Sequence, residues 1–193
     1  IARSTETYQG ILARTFEKYE IPFFMDAPEM IDAKPLMNLV LSAFDILHGG
    51  WNSDDVFHYL KTGLAGLDTE EISLLENYIL LWSLSGKKWK EPFSGHPDGF
   101  SPEWTEKDKQ RLAQLENLRL RTVEPLRHLE ARMQNATGSE AARGIYRLLE
   151  EIHTAEHLKE FSLELERDGK FGLAEEQLRL WDMLMEILDQ TAL

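Results

Sequence analysis

The sequence predicts a mainly α-helical, multi-helix domain that follows a small truncated α/β segment. Apolar residues recur at helical spacing through most of the chain, and hydroxyl or acidic residues stand where helices would begin. Strand-like apolar runs are confined to the first part of the chain. We therefore predict two domains, residues 1–26 and residues 27–193.

Residues 1–26 predict the end of a strand, then a helix, then a second strand. The chain starts with Ile1-Ala2-Arg3 rather than Met, which we interpret as the end of a strand whose first half is missing. A helix is predicted over residues 5–19, and a strand over Ile21-Pro22-Phe23-Phe24-Met25. This order is typical of a parallel α/β crossover. We interpret the chain as a piece of a longer protein, with a processed natural terminus as the alternative.

Residues 27–193 predict a series of helices. Their expected starting points are Pro35, Ser53, Thr69, Thr105, Gly138, Thr154 and Gly172. Ser53 and Thr154 are the predicted N-caps of their helices. Pro125 falls within the long fourth helix of this series, so we expect a kink or a new helix there.

A long loop is predicted over residues 85–104, which are rich in glycine and proline. It contains four large aromatic side chains, Trp89, Phe93, Phe100 and Trp104. The loop is expected to be ordered if these side chains pack against the domain. An aromatic residue of this loop is a candidate for an interface. Trp51, Phe57, Tyr59, Tyr78 and Trp82 are instead expected in the core.

Composition limits the functions that this chain can have. It contains no cysteine, which excludes disulfides, thiolate zinc sites and iron–sulfur ligation within this sequence. The net charge is −13, and both halves of the chain are acidic. Autonomous binding to duplex nucleic acid is therefore disfavoured, although a local basic patch is not excluded. No apolar run approaches the ~20 residues that span a bilayer, so we expect no membrane association.

One basic stretch lies along the long helix. Its members are Lys107, Lys109, Arg111, Arg119, Arg121, Arg127 and Arg132. We favour a solvated helix face with ion pairs, such as Arg127 with Glu124 and Glu130. The alternative is contact with a nucleic-acid backbone, for which the candidates are Lys107, Arg111, Arg119 and Arg121.

Three short motifs suggest chemistry but have structural explanations. His153, Glu156 and His157 match the H-x-x-E-H pattern of inverted zinc peptidases, but Thr154 as an N-cap would place His153 outside the helix. Ser85-Gly86-Lys87-Lys88 lacks the first glycine and the hydroxyl residue of a phosphate-binding loop. Asp168-Gly169-Lys170 is a helix C-cap rather than a nuclease motif. We predict no catalytic residue and no metal ligand in this chain.

Several segments together resemble the B subunit of the AddAB helicase–nuclease, called AddB or, in some bacteria, RexB. They are Ile21–Asp26, Pro35-Leu36, Ser42–Asp45, Trp51, Asp55–Leu64, Glu71–Tyr78, Gly86–Trp89 and, more loosely, Val123–Leu126. The order FHYLKTGL followed by LENY is the most specific part. The run IPFFMD occurs in many superfamily 1 helicases.

This resemblance implies a subunit of an ATP-dependent helicase–deoxyribonuclease that acts in the cytoplasm in double-strand-break repair and recombination. Residues 1–26 would belong to the second RecA-like (2A) domain, with Arg3 near the nucleotide, and residues 27–193 to a 2B-like insertion. The family's ATP, Mg²⁺ and 4Fe–4S cluster would be bound outside this chain. The expected role is non-catalytic: packing against an AddA-like subunit and shaping the DNA path. The alternatives are a protein-binding scaffold without DNA contact and a zinc-dependent hydrolase.

Overall fold

The computed structural model describes residues 8–23 and 34–192, which fall into two compact units. Across these residues there are eight α-helices and no β-strand. They are α1 (Gln9–Lys18), α2 (Pro35–His48), α3 (Ser53–Leu60), α4 (Thr69–Leu81), α5 (Glu106–Met133), α6 (Gly138–Glu151), α7 (Thr154–Arg167) and α8 (Phe171–Ala192). The prediction of a mainly helical chain is confirmed.

The first unit contains helix α1 and the residues that follow it. The predicted helix is confirmed from Gln9 to Lys18. The predicted strand is wrong over Ile21–Phe23, which form no strand, because no second strand among the described residues offers a hydrogen-bonding partner. Phe23 instead lies beside Phe16, with 5.2 Å between ring centroids. Arg3, the rest of the predicted strand and the predicted boundary at residue 26 lie outside the described residues.

Capping boxes start three helices of the second unit. In α4, α5 and α6 the N-cap side chain accepts a hydrogen bond from the third backbone N–H, and the carboxylate of that third residue accepts from the N-cap N–H. The three pairs are Asp68 with Glu71, Thr105 with Asp108, and Thr137 with Glu140. These reciprocal bonds fix where the helices begin.

Two predicted caps are wrong. Asn52, not Ser53, caps α3, and its side chain accepts from the Asp54 N–H. Thr154 is the first residue of α7 rather than its cap. The cap position belongs to His153, whose backbone is left-handed (φ 55°) and whose side chain makes no capping bond.

The core of the second unit surrounds helix α5, which packs against α2, α4 and α6. Helices α7 and α8 pack on each other, and α8 also packs against α6. The largest fully buried side chains are Leu36, Leu39, Ile46, Tyr59, Leu60, Leu64, Leu75, Ile79, Trp89, Leu115, Leu118 and Leu126. Most of the predicted core aromatic residues are buried, and Trp82 is half-buried.

Pro125 lies within α5, which continues as a single helix to Met133. The alternative of a new helix at this position is therefore wrong. Proline lacks an N–H and removes one helical hydrogen bond, but this ring is buried in the core, where apolar contact offsets part of that loss.

Helix α8 buries a narrow face. Leu180, Leu184 and Leu188, four residues apart, are buried. Ile187 is 50% exposed, because it lies on the flank of that stripe. Among the described residues, no helix is both long and apolar enough to cross a membrane.

We expect Asp68→Ala to lower the free energy of unfolding by about 1 kcal/mol, because it removes one acceptor of the α4 capping box. Urea denaturation of both proteins measures the difference. The matched control is Asp68→Asn, which keeps an acceptor oxygen and should lose much less. Equal losses in the two variants would contradict the capping role.

Candidate functional site

Residues 85–104, here called the aromatic loop, connect α4 to α5. The first half of this loop is held in place by Trp89. The Trp89 side chain is fully buried, and its ring lies edge-on to Phe57 with 5.8 Å between centroids. Its indole N–H donates to the Ser53 hydroxyl at 2.9 Å, and that hydroxyl donates to the Leu84 carbonyl at 2.6 Å. Ser53 therefore holds the loop rather than capping α3.

An ion pair on α5, between the buried Arg119 and the partly exposed Glu116, holds the middle of the aromatic loop. Arg119 is only 4% exposed and donates to both carboxylate oxygens of Glu116, at 2.8 and 2.5 Å. Its remaining terminal nitrogen donates to the Trp89 carbonyl at 2.9 Å. Glu116 in turn accepts the backbone N–H of Phe93 at 3.0 Å. Two residues of one helix thus satisfy two backbone groups of the loop.

The electrostatics of this pair follow from its contacts. Burial alone would raise the pKa of Glu116, but the hydrogen bonds from Arg119 and Phe93 and the Arg119 charge outweigh it, so its pKa lies below the usual range. The guanidinium also lies 5.7 Å from the centroid of the Phe93 ring. Arg119 therefore has no surface left for a phosphate and acts as a structural residue of the loop.

A second ion pair fixes the start of the aromatic loop. Lys90 contacts both carboxylate oxygens of Glu130 on α5, at 2.8 and 2.5 Å, and lies 4.7 Å above the Trp51 ring. The predicted pairing of Arg127 with Glu130 is therefore wrong, whereas its pairing with Glu124 is confirmed at 3.0 Å. Glu130 is thus an anchor of the loop that the sequence pattern does not indicate.

The far half of the loop is organised by His96, which is buried. Its Nδ1 accepts the Asp98 backbone N–H at 3.1 Å, which assigns the proton to Nε2, where it is donated to the Glu103 carbonyl at 3.1 Å. The His96 carbonyl accepts the indole N–H of Trp82 at 3.0 Å. This turn presents Phe100 to solvent.

The aromatic patch comprises Trp82, Phe100 and Trp104. Phe100 is 88% exposed, although its ring lies edge-on to Trp82 with 5.1 Å between centroids. Trp104 is 42% exposed and packs against His96 at 4.7 Å. Trp89 and Phe93 are buried, whereas Phe100 and Trp104 leave an apolar surface open.

The other predicted contact residues differ in exposure and pairing. Lys107 is exposed in the first turn of α5, and no ion pair is formed by it among the described residues. Arg111 is half-exposed and lies 3.5 Å from Asp98. Arg121 donates to Glu71 at 2.5 Å and to the Gly66 carbonyl. Most cations of the basic stretch therefore form ion pairs with acidic side chains. This agrees with the favoured interpretation, a helix face with ion pairs, rather than with contact to a nucleic-acid backbone.

The H-x-x-E-H residues do not form a ligand set in the described part of the chain. His153 precedes α7 in a left-handed conformation, whereas Glu156 and His157 lie within the helix. The Nδ1 atom of His157 lies 3.8 Å from a carboxylate oxygen of Glu160. No group of three His, Cys, Asp or Glu side chains with metal-binding geometry is present among the described residues.

The two remaining motifs have structural roles. Gly86–Lys90 forms a short 3-10 turn in which Gly86 has a positive φ of 65°. At the end of α7, Gly169 (φ 76°) donates to Glu166 at 2.9 Å and Lys170 donates to Leu165 at 2.8 Å. This is a Schellman motif, so the predicted C-cap is confirmed.

Comparison with known proteins gives relatives that share one name. The chain is 32% identical over 192 residues to the B subunit of the ATP-dependent helicase/deoxyribonuclease of Clostridium novyi (strain NT), and the match covers 98% of this chain. The same subunit of Alkaliphilus metalliredigens (strain QYMF) is 30% identical over 201 residues, again 98% of this chain. That of Caldanaerobacter subterraneus subsp. tengcongensis is 32% identical over 97% of this chain.

The chain is homologous to a segment of the B subunit of ATP-dependent helicase/deoxyribonucleases. The resemblance predicted from the sequence is thereby confirmed. The chain spans 16–17% of the length of these relatives. No protein-family model matches it.

Removing the buried guanidinium tests the loop anchor. We expect Arg119→Met to lower the free energy of unfolding by about 2–4 kcal/mol, because it leaves Glu116 and the Trp89 carbonyl without their partner. Thermal or urea denaturation measures this. The control Arg127→Met, which breaks an exposed pair on the same helix, should cost under about 1 kcal/mol.

The lowered pKa of Glu116 predicts a pH dependence. Its stabilising contribution is complete above the pKa of an unfolded glutamate, about 4.3, and is lost as pH falls through the lower folded pKa. The stability difference between the native protein and Glu116→Gln should therefore be largest near pH 7 and shrink towards pH 3. A difference that stays constant over this range would contradict the assignment.

Proposed function

We propose that this chain is a non-catalytic internal domain of a helicase–deoxyribonuclease subunit that acts in double-strand-break repair and recombination. The observation that carries the proposal is the match of nearly the whole chain to the same named subunit from several bacteria. In this proposal residues 27–193 form a 2B-like helical insertion, and residues 1–26, with Arg3 near the nucleotide, belong to the preceding RecA-like domain. Its site of action is the cytoplasm.

The non-catalytic role is supported by how the polar groups of the site are used. The charged pairs Arg119–Glu116 and Lys90–Glu130 hold the aromatic loop and leave its buried polar groups satisfied. The sequence has no cysteine for an iron–sulfur cluster. In this proposal ATP, Mg²⁺ and the cluster are held by other parts of the complete subunit or its partner.

Subunit packing is supported by an apolar groove between α7 and α8. It encloses about 350 Å³ and is lined mainly by Ala155, Leu158, Leu163, Leu178 and Trp181. Leu163 and Leu178 are 42% and 47% exposed, which is unfavourable in water for clustered leucines. The word "subunit" in the relatives' names implies a partner chain, and in this proposal an AddA-like protein is that partner and covers the groove.

A contribution to the DNA path rests on the cations at the start of α5. Lys107 and Arg111 are exposed there and lie near the aromatic loop, where Arg111 approaches Asp98. Arg121 is a weaker candidate because its guanidinium is already bonded to Glu71 and Gly66. Arg119 is buried, so the charge reversal Arg119→Glu would test folding rather than DNA contact.

Assembly tests the packing role. We expect the double variant Leu163→Glu, Leu178→Glu, made in the complete helicase–deoxyribonuclease subunit that contains this chain, to reduce co-purification with the partner subunit at least about tenfold. Each buried carboxylate would be desolvated at the interface. The control Leu120→Glu places a charge at an exposed leucine of α5 and should leave assembly unchanged. Normal assembly of the double variant would refute packing through this groove.

The rival function is a protein-binding scaffold without DNA contact, which the net charge of −13 favours. Fluorescence anisotropy with forked DNA, at low and at physiological salt, separates the two. Our proposal requires that DNA binding weakens as the salt concentration rises. Binding should weaken further in the double variant Lys107→Glu, Arg111→Glu. No binding even at low salt would leave the scaffold as the function.

A further inference from the structure

Phe100 is an exposed ring held in a fixed position. Its loop turn is closed by the Gly99 N–H, which donates to the His96 carbonyl at 3.1 Å, and by the Asp98 N–H on His96. The Phe100 ring also packs edge-on against the Trp82 ring. A large apolar side chain that is 88% exposed on an ordered loop is a common sign of a binding surface.

Two aromatic residues next to Phe100, Trp82 and Tyr78, already donate their polar hydrogens within the protein. The indole N–H of Trp82 donates to the His96 carbonyl, and the Tyr78 hydroxyl donates to the Gly95 carbonyl at 3.1 Å. Trp82 can therefore offer a ligand its ring but no N–H, and Tyr78 is buried. A flat ligand that stacks fits this surface better than one that must be read by donors and acceptors.

The surroundings of the aromatic patch are less acidic than the chain as a whole. Residues 85–111 contain six basic and five acidic residues, a sum of +1, in a chain of net charge −13. Lys88 lies at an adjacent cleft of about 270 Å³, which is also lined by Glu91 and by the rings of Tyr78, Trp82 and Phe93. Lys107 is exposed three residues after Trp104. Cations thus flank the rings on both sides in sequence.

Stacking rings flanked by cations are how proteins bind single-stranded nucleic acid without sequence preference. Duplex DNA would gain little here, because its bases are already stacked and its binding depends on many phosphate contacts. We propose that Phe100 and Trp104 stack on unpaired bases of single-stranded DNA, while Lys88 and Lys107 contact its phosphates. This deepens the proposed function, on which the choice of DNA as ligand rests.

The test is fluorescence anisotropy of a labelled oligothymidine of about 20 nucleotides, titrated with the 193-residue chain at low salt. We expect Phe100→Ala and Trp104→Ala each to weaken binding at least about fivefold. Trp104→Phe should keep most of the affinity, because a ring remains. The matched control Phe171→Ala removes a similarly exposed phenylalanine from α8, 67% exposed, and should bind like the native chain.

Titration at several salt concentrations distinguishes the contribution of the aromatic rings to DNA binding from that of the cations. Lys107→Ala should reduce the dependence of binding on salt, whereas Phe100→Ala should lower affinity with the salt dependence unchanged. A blunt-ended duplex of the same length should bind more weakly than the single strand.

Three results would overturn the stacking site. They are native affinity in Phe100→Ala and Trp104→Ala, equal or tighter binding of the duplex, and no binding of the single strand at low salt. If the ring variants bind normally while Lys107→Ala and Arg111→Ala bind weakly, the proposed function stands and only the stacking site fails. If the ring variants instead disrupt assembly with the partner subunit and leave DNA binding unchanged, the patch is a protein interface.

Discussion

The Arg119 guanidinium, placed between the Glu116 carboxylate and the Trp89 carbonyl, determines the position of the aromatic loop. Both charged residues lie on α5, one turn apart, so their geometry is fixed by the helix. The loop supplies one carbonyl and one N–H to the pair, from Trp89 and Phe93. A charge buried to this degree needs hydrogen-bond partners, and here the loop backbone provides an acceptor that the helix cannot.

The anchored loop explains how an exposed aromatic surface can persist in a folded protein. Trp89 and Phe93 are buried beneath it, so the loop contributes to the core although it contains little regular structure. The cost of ordering the backbone is offset by that burial and by the hydrogen bonds to α5. Phe100 and Trp104 then remain at the surface because His96 and Trp82 fix the turn beneath them. The same scaffold that stabilises the fold thus positions the candidate binding surface.

Helix positions are largely predictable from the sequence because their signals are local. Capping residues such as Asp68 and the apolar period of α2 depend only on neighbours a few residues away. The predicted strand at Ile21–Phe23 is wrong for the opposite reason, since a strand depends on a partner elsewhere. The predicted cap of α7 is wrong because His153 takes a left-handed conformation that no local pattern indicates.

The candidate site is only partly predictable. The aromatic content of the loop indicates an interface, but which rings are buried depends on contacts with α3 and α5. In the sequence Arg119 looks like any other cation of its helix, and its spacing of three residues from Glu116 gives no sign that both lie beneath the loop. The role of Glu130 with Lys90, forty residues apart, has no sequence signal at all.

Amide hydrogen exchange across the aromatic loop tests most directly whether α5 holds it. If the Arg119–Glu116 pair anchors the loop, the Phe93 amide should exchange far more slowly than an unstructured peptide amide and approach the protection of α5 itself. Exchange of the Phe93 amide at the unprotected rate, while the α5 amides remain protected, would contradict this account.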